Sequence, residues 1–568
     1  MTNRQKTILV GLALVAIIVF VVLGFLVFSR DVARDVKAVA FVATDIKPTA
    51  SATTTAIVAR SVTATLSPTP SSSPTVSPTP TPTLKLSPSP TVVPSSTDVP
   101  TPLPSPTLSY TATPSSTDIP TLEPSPTPTL TPTPYGYDPS WVPPWGVLTW
   151  DYSLLDKATE AGMHWIRVVV EWEQVEEIEG AYDWSKYDVI FDRIAATRLV
   201  PIVTIHSNPF WADADNNNCG PLNANGQQAW ANFLRTMVGR YGPGTKYGVR
   251  HWEINNEVDL RYETWLKVYW PKHIGGIGCW GDMAPEYVKF LGIASEAIWE
   301  IDPDAVILMG SQALLNVTNM SFLNEVLIAG GAPYFDMIGF NMYYGQDLAW
   351  YTCADQDRSP EHICQSVMGM RGKARILHTM LNQHGVEKRV IVTETAFRCL
   401  HDYPNREPCT QDELQAAVAY VAKTHIWALV EEAYPIIWYT LNYPGFFHSS
   451  LLDKAGNPKA IYLAYQTMAD ELHWARYVQP MTAEELGDDR LEGYLFQVGE
   501  RKKWVLWAKD NITLPVRFLA SEQPGGVLRV VDVLGTERVL SDATDSQPAD
   551  GWISLEVNSN PVYVNQVP

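Results

Sequence analysis

Between positions 145 and 475, eight runs of β-forming residues alternate with amphipathic helical stretches, a pattern that parallel strands joined by helical crossovers produce. The runs fall at 146–150, 165–171, 200–206, 249–255, 305–311, 337–343, 390–394 and 435–441, with helical periods at 187–197, 227–241, 285–301 and 412–433 among them. Eight repeats in about 330 residues predict an α/β chain folded as a (β/α)8 TIM barrel with insertions. A doubly wound open sheet gives a similar string. The barrel is favoured because no glycine-rich phosphate loop follows the first run and because charged residues gather where the runs end.

The rest of the 568 residues differs sharply from this middle, so the chain is segmented as 1–30, 31–134, 135–475 and 476–568. Residues 8–28 are an apolar run of 21 preceded by Arg4 and Lys6. That length suits a helix crossing ~30 Å of hydrocarbon, and the basic flank predicts a cytoplasmic amino terminus with the remainder outside the cell. The expected location is therefore the cell membrane, through a single-pass transmembrane helix that is the chain's sole contact with lipid. The rival is a signal peptide cut after Ala38-Val39-Ala40, which would leave a secreted protein. From about 48 to 134 Thr, Ser and Pro dominate, and the octapeptide at 94–101 recurs at 114–121 with Ile119 for Val99. Such a segment buries too little to offset its ordering entropy and reads as a disordered, semi-rigid stalk. After 476 short alternating runs, at 492–498, 503–508, 515–519, 526–533, 551–557 and 561–564, predict an all-β sandwich. Its apolar content assigns it to core and interface rather than to a carbohydrate-binding face.

A net charge of −20 argues against nucleic acid and against polyanionic substrates, both of which call for clustered cations. The histidines are scattered with no metal-ligand spacing, so neither metal nor cofactor is expected. Six cysteines, Cys219, Cys279, Cys353, Cys364, Cys399 and Cys409, all lie beyond the stalk, and an even count in an exported domain favours disulfides. Short loop closure pairs Cys353 with Cys364 and Cys399 with Cys409, leaving Cys219 with Cys279 by elimination. All six fall in loops after the third, fourth, sixth and seventh runs.

In a barrel of this kind chemistry sits beyond the carboxyl ends of the strands. Two glutamates arrive there, Glu257 in His251-Trp252-Glu253-Ile254-Asn255-Asn256-Glu257 and Glu394 in Val392-Thr393-Glu394-Thr395. Paired carboxylates, one protonated and one ionised, are what glycosidic bond cleavage requires. Glu253, deeper on the same run, reads as structural. His206 either meets substrate or a neighbouring loop. Trp150, Trp172, Trp211, Tyr344 and Trp350 are aromatic candidates for stacking on sugar, each more simply explained by packing. Asn316, Asn319 and Asn511 head glycosylation tripeptides, a pattern common by chance.

At these residues the chain resembles clan A glycoside hydrolases, the retaining (β/α)8 enzymes of families 5, 39 and 42. The stretches that carry the likeness are Trp165-Ile166-Arg167, Trp172, Glu179-Gly180-Ala181-Tyr182-Asp183-Trp184, Asn208-Pro209-Phe210-Trp211-Ala212, the Asn256-Glu257 pair and Thr393-Glu394. The appended β domain is similar to that of family 39. The resemblance implies that Glu257 is the general acid/base and Glu394 the nucleophile, ~5–5.5 Å apart, with retention of configuration. It further implies that Arg167 and Tyr343 hold Glu394, that Asn256 binds the substrate 2-hydroxyl, and that Trp438 offers an aromatic face under the sugar. One departure stands out: many clan members have His-x-Tyr after the sixth strand, where this chain has Asn341-Met342-Tyr343.

The implied function is a surface-anchored retaining glycoside hydrolase acting on β-linked, neutral oligo- or polysaccharides through a monomeric catalytic domain. A non-catalytic glycan-binding or adhesive barrel would use the same stalk and anchor, but has no physical reason to keep Glu257, Glu394, Arg167 and Asn256 together. A transglycosylase would carry identical residues.

Overall fold

A computed structural model describes residues 142–214, 220–260, 280–313, 321–344, 369–399, 409–442, 448–545, 547 and 549–567, all within one compact unit, Leu122–Pro568. The expected membrane span and stalk, and Cys219, Cys279, Cys353 and Cys364, lie outside the described residues. Among the described residues no helix is long and apolar enough to cross a membrane.

Eight parallel strands close into a barrel in chain order. They are β1 (Trp145–Leu148), β2 (Trp165–Glu171), β3 (Val200–His206), β4 (His251–Ile254), β5 (Val306–Gln312), β6 (Met337–Tyr344), β7 (Arg389–Phe397) and β8 (Ala433–Tyr439). A helix of the outer ring follows each: α1 (Leu155–Glu160), α2 (Ser185–Ala195), α3 (Ala224–Tyr241), α4 (Ala284–Ile301), α5 (Ser321–Ile328), α6 (Met370–Gln383), α7 (Gln411–Val430) and α8 (Ala460–Glu471). The open-sheet alternative is thereby excluded.

Strand alternation sorts the side chains into two layers. Leu148, Ile202, Leu308, Met337, Ile391 and Ile437 fill the barrel interior together with Trp165 and Val169. Their neighbours Val147, Ile166, Val168, Val203, Ile307, Ile338, Val390, Val392 and Ile436 face the helices. On that outer side Trp184, Phe233, Trp230 and Phe290 stack in series, with centroids 5.5, 5.8 and 4.8 Å apart, joining α3 to α4 and to the residue just before α2.

Beyond the barrel, β9 (Arg476–Pro480), β10 (Leu491–Val498), β11 (Arg501–Ala508), β12 (Leu514–Leu519), β13 (Val527–Val531), β14 (Glu537–Ser541), β15 (Trp552–Val557) and β16 (Val562–Gln566) form a β domain. Six of them make one antiparallel sheet in the order β14-β13-β16-β11-β10-β9, and β12 pairs with β15 as a separate ribbon. The layers are thus lopsided, six strands against two. Both faces of the large sheet are apolar. Tyr494, Phe496, Val505, Trp507, Val531 and Tyr563 join the barrel's core, while Trp504, Leu506, Leu528, Val530 and Val564 pack with Val516, Phe518, Ile553 and Leu555 of the ribbon. A charged lock sits on the seam: Glu471, ending α8, accepts from Lys503 at 2.9 Å, Arg529 at 2.9 Å and Asn565 at 3.2 Å.

The two strands that the pattern does not reveal, β9 and β14, are the two edges of that sheet. Edge strands carry polar and exposed residues because one side meets water, so the alternation that marks an inner strand is lost.

Candidate active site

Arg167 is the hub. It points inward from β2 with its side chain 1% exposed, and its three nitrogens reach three acceptors. Nη1 donates to Glu394 Oε1 at 2.5 Å, Nε and Nη2 donate to Glu253 at 2.7 and 3.0 Å, and Nη2 also reaches Asn256 Oδ1 at 2.8 Å. Glu253, wholly buried, is completed by Thr204 Oγ1 at 2.5 Å and by the Ser311 amide at 3.1 Å. It never reaches the cleft and serves to orient the guanidinium.

Glu394 would face the helices if β7 alternated strictly from Ile391. Instead the register slips between Phe340 and Asn341 against β6, so that Asn341 pairs with Glu394 and Thr393 is skipped. Such a bulge re-aims a side chain. The room for it comes from Gly339, where a Cβ would lie 2.4 Å from Thr393 Cγ2. Glu394 then meets Tyr343, whose hydroxyl donates to Oε2. Burial and the adjacent carboxylate hold the Tyr343 phenol well above its usual range, so it acts as donor.

Glu257 arrives by backbone strain. After β4 ends at Ile254, Asn255 and Glu257 take positive φ of 75° and 49°. Each such non-glycine residue costs roughly 1–3 kcal/mol, least for Asn, and the turn leans on Gly310, where a Cβ would meet Ile254 O at 2.6 Å. Ser311 on β5 ties it down, accepting from the Glu257 amide at 3.3 Å and donating to Asn256 Oδ1 at 2.7 Å. With Oδ1 of Asn256 thus occupied twice, its amide nitrogen, which meets no acceptor among the described residues, is the group left for a ligand. Glu257 Oε1 accepts from Asn341 Nδ2 at 3.0 Å.

The two carboxylates differ electrostatically. Burial, and then the charge of Glu394, push Glu257 up to about 7. Burial leaves Glu394 raised as well, although the Arg167 cation and the Tyr343 hydroxyl oppose that rise. A guanidinium and a phenol outweigh one amide, so Glu394 is the member of the pair that ionises first. The arrangement therefore favours the anion at Glu394 and the acid at Glu257 across one barrel mouth.

In fold the chain is similar to a family 39 glycoside hydrolase. That structure, from the gut symbiont Bacteroides cellulosilyticus WH2, superposes with a TM-score of 0.56 at 19% identity, over 75% of this chain and 81% of that one. A family 30 endoxylanase from Clostridium papyrosolvens C71 matches at 0.49 and 13% identity, covering 75% and 96%. A family 39 β-xylosidase from Caulobacter crescentus matches at 0.47 and 16%, covering 75% and 96%. No family model and no curated protein sequence matches. The first of these likenesses bears out the barrel fold that the strand pattern predicts.

The structure brings together Glu257, Glu394, Arg167, Asn256 and Tyr343. His206 ends β3, buried, with Nδ1 2.7 Å from Ser207 Oγ. Trp438 is a correction. It is wholly buried, donates its indole N–H to Ser449 O at 3.0 Å and stacks on His425 of α7, with no face toward a sugar. On β8 it is Ile437 and Tyr439 that point inward, so Trp438 must point out. The strand-8 aromatic at the site is Tyr439, its ring 6.0 Å from that of Tyr343 and its phenol raised first by burial and then by the Glu394 charge. Alternation about Ile437 was the signal for it. Trp172 is likewise core, bonded to Glu176 at 2.7 Å, whereas Trp150 is 54% exposed and lies 6.5 Å from Tyr439. Tyr344 has no described side chain, and Trp350 lies outside the described residues. Cys399 and Cys409 are joined, with Cα atoms 5.4 Å apart, between the end of β7 and α7.

Proposed function

We propose that this chain is a retaining glycoside hydrolase that cleaves β-linked neutral oligo- or polysaccharides by double displacement. Glu394 attacks the anomeric carbon while Glu257 protonates the departing oxygen, and Glu257, now a carboxylate, then takes a proton from the water that releases the sugar. The observation that carries this reading is the unequal pair: Glu394 held by Arg167 and Tyr343, Glu257 lifted to about 7. Asn256 is assigned the sugar 2-hydroxyl through its amide nitrogen, and His206 and Tyr439 the wall of the same subsite. The one guanidinium at the site is already matched to Glu253 and Glu394, which supports neutral substrates over acidic ones.

The test is turnover of aryl β-glycosides and neutral β-glycans by the full chain, with the anomer of the first product read by NMR. Retention is expected, and inversion overturns the mechanism. Glu394→Gln should nearly abolish turnover. Glu257→Ala should lose about 10²–10⁴-fold on poor leaving groups, spare good ones and recover with azide.

The same proposal extends to location. Residues 8–28 would anchor the chain and 31–134 hold the barrel off the membrane, on the support of the apolar run, its basic flank and the proline density. Alkaline extraction of membranes that releases the intact chain would remove the anchor.

A further inference from the structure

The side chain of Asn341 sits between a hydroxyl and a carboxyl, and with the Thr393 hydroxyl donating, its oxygen turns to Thr393 and its nitrogen to Glu257. Its Oδ1 accepts from Thr393 Oγ1 at 2.8 Å while its Nδ2 donates to Glu257 Oε1 at 3.0 Å. Asn341 is 2% exposed and Thr393 fully buried, so water does not compete for either atom. The backbone is pinned as well, because the ammonium of Lys373, reaching in from α6, donates to Asn341 O at 3.0 Å and to Ala313 O at 3.1 Å.

An amide N–H can only donate, so the carboxyl oxygen it faces accepts, and a carboxylic acid accepts better at its carbonyl oxygen than at its hydroxyl oxygen. We infer that Asn341 is a positioning residue that confines the exchangeable proton of Glu257 to Oε2. The inference rests on the reading of Glu257 as acid/base. In the first half-reaction the Oε2–H bond breaks as the O–H bond of the leaving group forms. In the second, an O–H bond of water breaks, Oε2–H re-forms, and the water oxygen bonds to the anomeric carbon as Glu394 departs. Oε1 stays unprotonated throughout, held by the same amide in both states. An imidazole at this position would be donor or acceptor according to tautomer and would itself titrate, whereas the amide does neither.

The experiment compares wild type, Asn341→Leu, Asn341→His and Thr393→Val on paired phenyl and dinitrophenyl β-glycosides of xylose, glucose, galactose and mannose, across pH. Asn341→Leu keeps the shape but removes the donor. It should lose roughly tenfold more kcat/KM on phenyl than on dinitrophenyl substrates, and its alkaline limb should move to higher pH. Asn341→His, which retains an N–H, should recover part of that difference. Thr393→Val leaves Asn341 in place and frees its amide to turn, so it should show the same two changes in smaller measure. This second route does not depend on Asn341→Leu folding. An equal loss on both leaving groups with an unmoved alkaline limb, in Asn341→Leu and Thr393→Val alike, overturns the inference. Glu257→Ala separates the two levels. If it shows the leaving-group signature and the Asn341 and Thr393 variants do not, only this inference fails; if it lacks the signature, or wild type turns over none of the glycosides, the proposed function fails and takes the inference with it.

Discussion

Arg167 donates to Glu394 at 2.5 Å from the same guanidinium that grips Glu253 along its other edge. One cation therefore serves two buried carboxylates, one structural and one proposed to react. Arg167→Met is predicted to leave both uncompensated at a cost of about 3–5 kcal/mol, read as a lower urea midpoint. Arg167→Lys keeps the charge but cannot reach three acceptors, so it should fold more stably than Arg167→Met and still lose most turnover. A wild-type midpoint for Arg167→Met would show that the network does not hold the barrel mouth.

The pH profile follows from the unequal pair. Glu257 must begin protonated, so kcat/KM should fall as pH rises through about 7, where its proton leaves. On the acid side activity should fall as Glu394 gains a proton, at a lower pH because Arg167 and Tyr343 favour its anion. Replacing Tyr343 with Phe removes one of those donors and should shift the acid limb upward. An acid limb that stays in place would assign that limb to another group.

Two tryptophans that look alike in the sequence should behave oppositely. Trp438→Ala empties a wholly buried site and is predicted to destabilise by about 3–5 kcal/mol, seen as a lower thermal midpoint. Trp150→Ala, at an exposed position beside Tyr439, should leave the midpoint nearly unchanged and raise KM for oligosaccharides. Identical thermal losses would put Trp150 in the core.

The seam between barrel and β domain depends on Glu471. Two cations share this carboxylate and draw its pKa below the ordinary range against the cost of burial, whereas Lys503, with one anion, is lowered by its own burial. A carboxylate with a depressed folded pKa contributes stability that is present above its unfolded pKa of about 4.3 and lost as pH falls through the folded value. Glu471→Gln should therefore cost about 2 kcal/mol at pH 7, reduced from a fully buried pair because Arg529 is one-third exposed. The difference from wild type should shrink in unfolding experiments below about pH 4. A difference that does not change with pH would show that packing, not charge, carries the seam.

Periodicity in the sequence encodes the framework of the barrel. The β2 and β3 bounds agree residue for residue with the pattern, because inner barrel strands flanked by helices are continuous apolar runs with sharp ends. Glu257 and Glu394 were placed at the mouth by the same logic. At Trp438 strand-end position and facing part company, since counting from Ile437 turns it outward and Tyr439 inward.

The chain by itself determined the order of strands and helices, the strands that deliver the two glutamates and the positions of the glycines, since these depend on side-chain pattern and local backbone freedom. Only the tertiary structure decided how those glutamates face. Glu394 turns inward through a one-residue slip between β7 and β6 that Gly339 makes room for, and Glu257 through positive φ angles that Ser311 and Gly310 of the next strand support. The partnership of Asn341 with Glu257 likewise arises because β4, β6 and β7 converge at one end of a closed barrel. Contacts between residues this far apart along the chain leave no period to detect, and they exist only once the sheet has closed.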